Sequence, residues 1–170
     1  KLDIIVTNQS SSSISILKNQ TTVGNIDGAS FATKVDFATG SSPGQAICGD
    51  LDGDGKRDVV VKNNSSISVL RNTLSAGEIN SSSFAPKVDF IAGNSWSNYN
   101  NSIFLGDLDG DSKLDIALTD DIFVSVFRNT SSSGSFTTSS LAPKATIVPG
   151  GSGSSFLGLA DVDGDGKLDI

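Results

Sequence analysis

A nine-residue acidic stretch occurs three times in this chain, and its spacing leaves few folds open. It reads Asp50-Leu51-Asp52-Gly53-Asp54-Gly55-Lys56-Arg57-Asp58, then Asp107-Leu108-Asp109-Gly110-Asp111-Ser112-Lys113-Leu114-Asp115, then Asp161-Val162-Asp163-Gly164-Asp165-Gly166-Lys167-Leu168-Asp169. The tail of a further copy ends at Asp3. Aligned on Asp3, Asp58, Asp115 and Asp169, the copies lie 55, 57 and 54 residues apart. That period is far longer than the roughly 6 to 25 residues of a β-helix or a calcium-binding β-roll.

Four apolar segments recur within each period. Directly after the loop come the runs at 3–7 (DIIVT), 58–62 (DVVVK) and 115–119 (DIALT). Short, continuous and β-branched, they predict strands buried on both faces. A polar turn leads to 13–18, 66–71 and 122–128, where polar and apolar residues alternate as in a half-buried hairpin partner. Each of these ends at Asn19, Asn72 or Asn129. After a Ser/Thr-rich connection, a third segment covers 31–37, 84–91 and 141–148, with Pro86 and Pro143 near its start suiting an edge strand. A Gly-rich loop then leads to 45–49, 102–106 and 155–160, which run straight into the next acidic loop.

Four antiparallel strands per repeat is the pattern of a β-propeller blade. Three independent domains are disfavoured, because each would be a lone sheet with two uncovered apolar faces. The fold class expected is all-β, a propeller segment of about three four-stranded antiparallel blades. Residues 1–170 form one repeat array: strands 2–4 of a first blade at 1–40, a second blade at 41–93, a third at 94–150, and the start of a fourth at 151–170. The chain opens and closes on KLDI at the same point of the repeat. It is therefore expected to be a segment of a longer chain, or a subunit completed by a neighbour.

Carboxylates at loop positions 1, 3, 5 and 9 repel one another unless a cation sits among them. Alternating hard oxygens on a tight loop suit Ca²⁺, which takes 6–8 oxygen ligands. The expected ligands are Asp50, Asp52, Asp54 and Asp58, Asp107, Asp109, Asp111 and Asp115, and Asp161, Asp163, Asp165 and Asp169. Lys56, Lys113 and Lys167, at position 7, are expected to offer a backbone carbonyl while the side chain points to water. Asp3 would be the ninth-position ligand of a site whose other aspartates lie elsewhere. An EF-hand needs a bidentate Glu at position 12, where this chain has Val61 or Leu118. About three structural calcium ions are expected.

The charge pattern agrees. The formal net charge is −7, and most of the 19 acidic residues lie in the loops. Three divalent ions would bring the chain close to neutrality, so the acidity is ligand charge rather than an acidic face awaiting a basic partner. There is no basic stripe for nucleic acid and no run near the ~20 apolar residues of a membrane span. With one Cys there is no internal disulfide, and calcium sites are the evident staples. Dependence on calcium points to a secreted or cell-surface protein.

The loop DxDGDGxxD, entered from a hydrophobic-Gly-Asp segment and followed by an apolar strand, resembles that of the FG-GAP/VCBS repeat family. That family includes the calcium-bearing blades of integrin α-subunit propellers. The resemblance covers the whole chain and implies that each calcium loop joins strands 1 and 2 of a blade, on its bottom face. Ser112 departs from the family's usual glycine. If that position needs a positive φ, the cost is roughly 1 kcal/mol, and the second loop is expected to bind most weakly.

The remaining residues offer little chemistry. Cys48 aligns with Leu105 and Leu159 and reads as a small buried hydrophobe. The chain has no His, and its carboxylates are committed to calcium, so no enzyme activity is expected. Lys34 with Asp36, and Lys87 with Asp89, read as exposed strand-edge charges that protect against aggregation. Trp96 and Tyr99, the only Trp and Tyr, share the loop 93–101 and are candidates for binding a glycan or surface protein. N-x-[ST] sequons at Asn8, Asn19, Asn63, Asn64, Asn80, Asn100 and Asn129 are candidate glycosylation sites. The Ser/Thr-rich connections are candidate O-glycan sites or solvated linkers.

These features favour a non-catalytic, calcium-stabilised extracellular repeat segment serving adhesion, ligand binding or assembly. Its expected partners are other blades of the same or a neighbouring chain. Three other readings stay open: an accessory propeller of an exported enzyme acting on polysaccharide or phospholipid, a lectin, and a repeat unit of a surface fibre.

Overall fold

The computed structural model describes residues 1–75, 77–93, 102–120, 123–148 and 157–170. Each period folds as an up-and-down antiparallel meander. The first comprises β1 (Ile4–Asn8), a single 3-10 turn (Gln9–Ser11), β2 (Ser13–Leu17) and β3 (Val35–Ala38). The second comprises β4 (Ala46–Gly49), β5 (Asp58–Lys62), β6 (Ser66–Leu70) and β7 (Val88–Ile91). The third comprises β8 (Ile103–Gly106), β9 (Asp115–Asp120), β10 (Phe123–Phe127) and β11 (Ala145–Ile147). The sheets run β1-β2-β3, β4-β5-β6-β7 and β8-β9-β10-β11. The acidic loops join β4 to β5 and β8 to β9. The second and third sheets share one register: Gly49 faces Asp58 and Gly106 faces Asp115. Ala160 bridges Asp169 in the same way.

The sheets stack face to face, and β5 shows why its sequence is apolar at every internal position. Val59 and Val61 pack with Ile14, Ile16 and Phe37 of the first sheet. Val60, pointing the opposite way, packs with Ile103, Ile116 and Leu118 of the third. Burying each of these side chains contributes about 1.5–3 kcal/mol. The first period departs from the expected double burial. Ile4 and Val6, the counterparts of Val59 and Val61, remain 39% and 43% exposed. Only the Ile5 face of β1 meets another sheet.

Close approach of the second and third sheets depends on Gly49. A Cβ there would stand 2.6 Å from Leu105 Cδ1 and 2.7 Å from Leu114 Cδ1. Gly106 leaves the same space for Leu168 and Leu159. Cys48 is half-buried against the first two sheets, and burial pushes its thiol up.

The last strand of each sheet is shorter than the sequence predicts. Phe31, Phe84 and Leu141 form only isolated bridges, to Asn19, Asn72 and Asn129. The ladder is interrupted before pairing resumes at Val35, Val88 and Ala145. The break spans Thr33 as well as Pro86 and Pro143. Proline is thus tolerated at a break the backbone makes anyway. β3, β7 and β11 are the expected edge strands. Asp36 and Asp89 pair with Lys34 and Lys87 on these edges. They also accept hydrogen bonds from Ser15 and Ser68 of the neighbouring strands, at 2.5 and 2.6 Å.

Candidate metal centre

Each acidic loop is wound around its own aspartates. In the first, Asp50 accepts hydrogen bonds from the Asp54 and Gly55 amides at 3.1 and 2.9 Å. Asp52 Oδ1 accepts one from Asp54 N at 3.2 Å, and Asp54 Oδ1 one from Lys56 N at 2.9 Å. Asp58 reaches back to Leu51 N at 3.0 Å. The second and third loops repeat the pattern on Asp107, Asp109, Asp111 and Asp115 and on Asp161, Asp163, Asp165 and Asp169. Such a turn needs left-handed backbone at position 6, where Gly55 and Gly166 have φ of 85° and 87° and Ser112 has 68°. Ser112 therefore carries the strain its side chain implies. Ser112→Gly is expected to stabilise the protein by about 1 kcal/mol and to tighten cation binding by the second loop. Urea unfolding with calcium titration would check this; unchanged values would show the strain is absorbed elsewhere.

The winding gathers three carboxylates per loop. Asp50, Asp52 and Asp58, Asp107, Asp109 and Asp115, and Asp161, Asp163 and Asp169 each offer oxygens within 4.8 Å of one another. The position-5 residues Asp54, Asp111 and Asp165 stand outside these trios, turned toward the position-7 amide. Asp3 holds the posture of a ninth-position residue: its Oδ1 accepts from Asn19 N at 2.8 Å, as Asp58 does from Asn72 N and Asp115 from Asn129 N.

Two of the lysines at position 7 correct an expectation: Lys56 and Lys113 are half-buried with the ammonium held by protein oxygens, whereas Lys167 is exposed to water as expected. Lys56 Nζ donates to Asp54 at 3.1 Å, and Lys113 Nζ donates to the Ser131 carbonyl at 3.0 Å. Lys167 Nζ lies 3.7 Å from Asp165.

The first trio fits a divalent cation on its own chemistry. Asp52 and Asp58 are 2% and 0% exposed, and Asp52 Oδ2 is buried with no hydrogen-bond partner. Burial, with Asp54 close by, raises the Asp52 pKa. Burial raises Asp58 to about 6 and also lifts Asp115. Without a cation, the folded state therefore holds protons that the unfolded chain releases near 3.8. Between those values stability falls as pH rises; the carboxylates held low, Asp27, Asp36 and Asp54, act below that window. In chelator the protein is expected to melt higher at about pH 5 than at about pH 7, and saturating calcium should reverse the order. Calorimetry at both pH values is the check.

The first loop is also roofed by the third repeat. Leu51 O accepts from Asn129 Nδ2 at 2.7 Å and Ser131 Oγ at 2.9 Å. Asp52 O accepts from Gly134 N, and Gly53 O from Ser133 Oγ, both at 3.1 Å. Between the two loops lies a cleft of about 200 Å³ lined by residues 50–53, Ser112, Lys113, Ser131 and Ser133. Coverage then falls along the chain: Leu51 is 1% exposed, Leu108 half-buried and Val162 80% exposed.

Asn19, Asn72 and Asn129 are the structural residues that sequence reasoning missed. Each holds the ninth-position aspartate through its backbone N–H. Each donates Nδ2 to the preceding residue's carbonyl (Leu2, Arg57, Leu114) and accepts at Oδ1 from the amide two residues on. Their recurrence at the end of every second strand was the available signal. Two sequon assignments fall with this geometry. Asn129 is fully buried, and Asn63 is 2% exposed with Nδ2 donating to Ser66 and Ser68, so neither has room for a glycan in the folded chain. Asn8 and Asn19 are half-buried with Nδ2 engaged, Asn64 is half-buried, and Asn80 is exposed. Trp96, Tyr99 and Asn100 lie outside the described residues. The connection after Asn129 is no free linker, since Ser131, Phe136 and Ser140 are buried.

No curated protein significantly matches the chain. A solved Tc holotoxin pore from Photorhabdus luminescens is similar over 98% of this chain at 18% identity and a TM-score of 0.48. The chain spans only 7% of that protein's length. The sequence model of the FG-GAP-like repeat matches three times, at residues 1–61, 50–118 and 107–170. These matches run end to end and each includes acidic-loop aspartates and the strands beside them: the chain belongs to the FG-GAP-like repeat family.

Proposed function

We propose that this chain is a calcium-stabilised run of propeller blades with a non-catalytic role in adhesion, ligand binding or assembly outside the cell. The observation that carries the reading is the set of three congruent carboxylate trios, one of them with the buried Asp52 Oδ2 that has no hydrogen-bond partner. Ca²⁺ would be held by the position 1, 3 and 9 aspartates and would pin the hairpin between the first two strands of a blade. Position-7 carbonyls and position-5 carboxylates are the further oxygens within the same loops. The chain contains no His, and its loop carboxylates are engaged in winding the turns, so the role proposed is binding rather than catalysis. Among the described residues no helix is long and apolar enough to cross a membrane.

The half-exposed Ile4 and Val6 on the outer face of β1 support further blades as the partner, from the same or a neighbouring chain. Calorimetric titration with Ca²⁺, repeated against excess Mg²⁺, tests the cation reading. About three sites per chain that Mg²⁺ does not displace are expected; no calcium-specific heat would sink it. Native mass by light scattering in calcium and in chelator tests assembly, and a calcium-dependent multimer is the expected result.

A further inference from the structure

Two arginines stand beside the acidic loops at equivalent places in the repeat. Arg71, one residue past β6, has Nη1 3.7 Å from Asp52 Oδ2. Arg128, one residue past β10, has Nη1 3.6 Å from Asp109 Oδ2. Both distances exceed a hydrogen bond and both lie within strong Coulomb range. The oxygen concerned is the same in the two repeats. At position 3, Oδ1 is taken by the position-5 amide, leaving Oδ2 as the oxygen free to ligate. In the first loop it is the buried oxygen with no hydrogen-bond partner. Each guanidinium thus faces the lone pair a cation would use, without engaging it in a hydrogen bond. The equivalent residue of the first repeat, Lys18, pairs with Glu78 at 2.6 Å instead.

We propose that Arg71 and Arg128 are built-in counter-cations that set the affinity of the first and second loops; this rests on the calcium reading above. With no ion bound, the guanidinium offsets the crowded carboxylates and keeps the loop folded. With a divalent ion bound, the same positive charge opposes it, so the site holds calcium more weakly than its carboxylates alone would.

The test is Ca²⁺ titration calorimetry and melting in chelator, on the full chain and on Arg71→Gln, Arg128→Gln and Arg71→Lys. Each Gln variant is expected to tighten one site on the order of ten-fold while lowering the melting temperature in chelator. Arg71→Lys, which keeps the charge, should stay near the parent. Arg128 is 56% exposed, so its replacement leaves the packing intact and protects the test if Arg71→Gln fails to fold. Unchanged or weaker calcium affinity in Arg128→Gln overturns the inference while leaving the calcium reading in place. Calcium binding that appears only in the Gln variants supports it. No binding in parent or variants overturns both.

Discussion

Excess calcium is expected to raise the melting temperature of this chain by about 15 °C or more over the chelated protein. A ligand at one hundred times its dissociation constant stabilises the state that binds it by about 2.7 kcal/mol per site. Three independent sites give roughly 8 kcal/mol. In a chain of this size, each kcal/mol moves the midpoint by about 2–4 °C. The loops have few other sources of order. The first carries the buried Asp52 and Asp58, which repel each other until a cation intervenes. Scanning calorimetry in calcium and in chelator reads the effect directly. Superimposable melts would mean that the winding hydrogen bonds alone hold the loops and that the trios are not cation sites.

Asn129→Ala is expected to cost about 2–6 kcal/mol. Its Nδ2 donates to Leu51 O and Leu114 O, and its Oδ1 accepts from Ser131 N, all within a fully buried residue. Truncation leaves the Leu114 carbonyl and the Ser131 amide without these partners, at about 1–3 kcal/mol for each buried group. Leu51 O keeps its bond from Ser131 Oγ. Asn19→Ala supplies the comparison. Asn19 makes the same bonds within its own repeat, to Leu2 O and Thr21 N, but is only half-buried, and it should lose about 1 kcal/mol. Because Asn129 also ties the third repeat to the first loop, its loss should weaken calcium binding at Asp50, Asp52 and Asp58. Urea unfolding of both variants decides: equal costs would show that the contact between repeats contributes nothing.

The candidate site was legible in the sequence to different depths. Aspartates at alternating positions with glycine between them can only wind a tight turn, and the turn is present in all three loops. The positive φ required of Ser112 was anticipated from its alignment with glycine. The exclusion of Asp54 from the trio was not, because spacing does not reveal which carboxylate a backbone amide will claim. Nor does a sequon at Asn129 reveal burial: the equivalent sequon, Asn19-Gln20-Thr21, has its asparagine only half-buried.

By itself, the sequence determined the strands, their order within a repeat and the place of the acidic loops. Those features follow from local rules: β-branched runs extend, alternation marks a covered face, and glycine allows the turn. Only the tertiary structure decided how the repeats interlock. Leu51, Leu108 and Val162 hold the same loop position yet range from buried to exposed. Their burial depends on the sheet stacked beside them. Ser131, Ser133 and Gly134 look like any solvated linker until the stacking of the third sheet sets them over the carbonyls of the first loop. A hydrogen bond between residues 80 apart leaves no local trace in composition or periodicity, since the chain reaches it only after both sheets have formed.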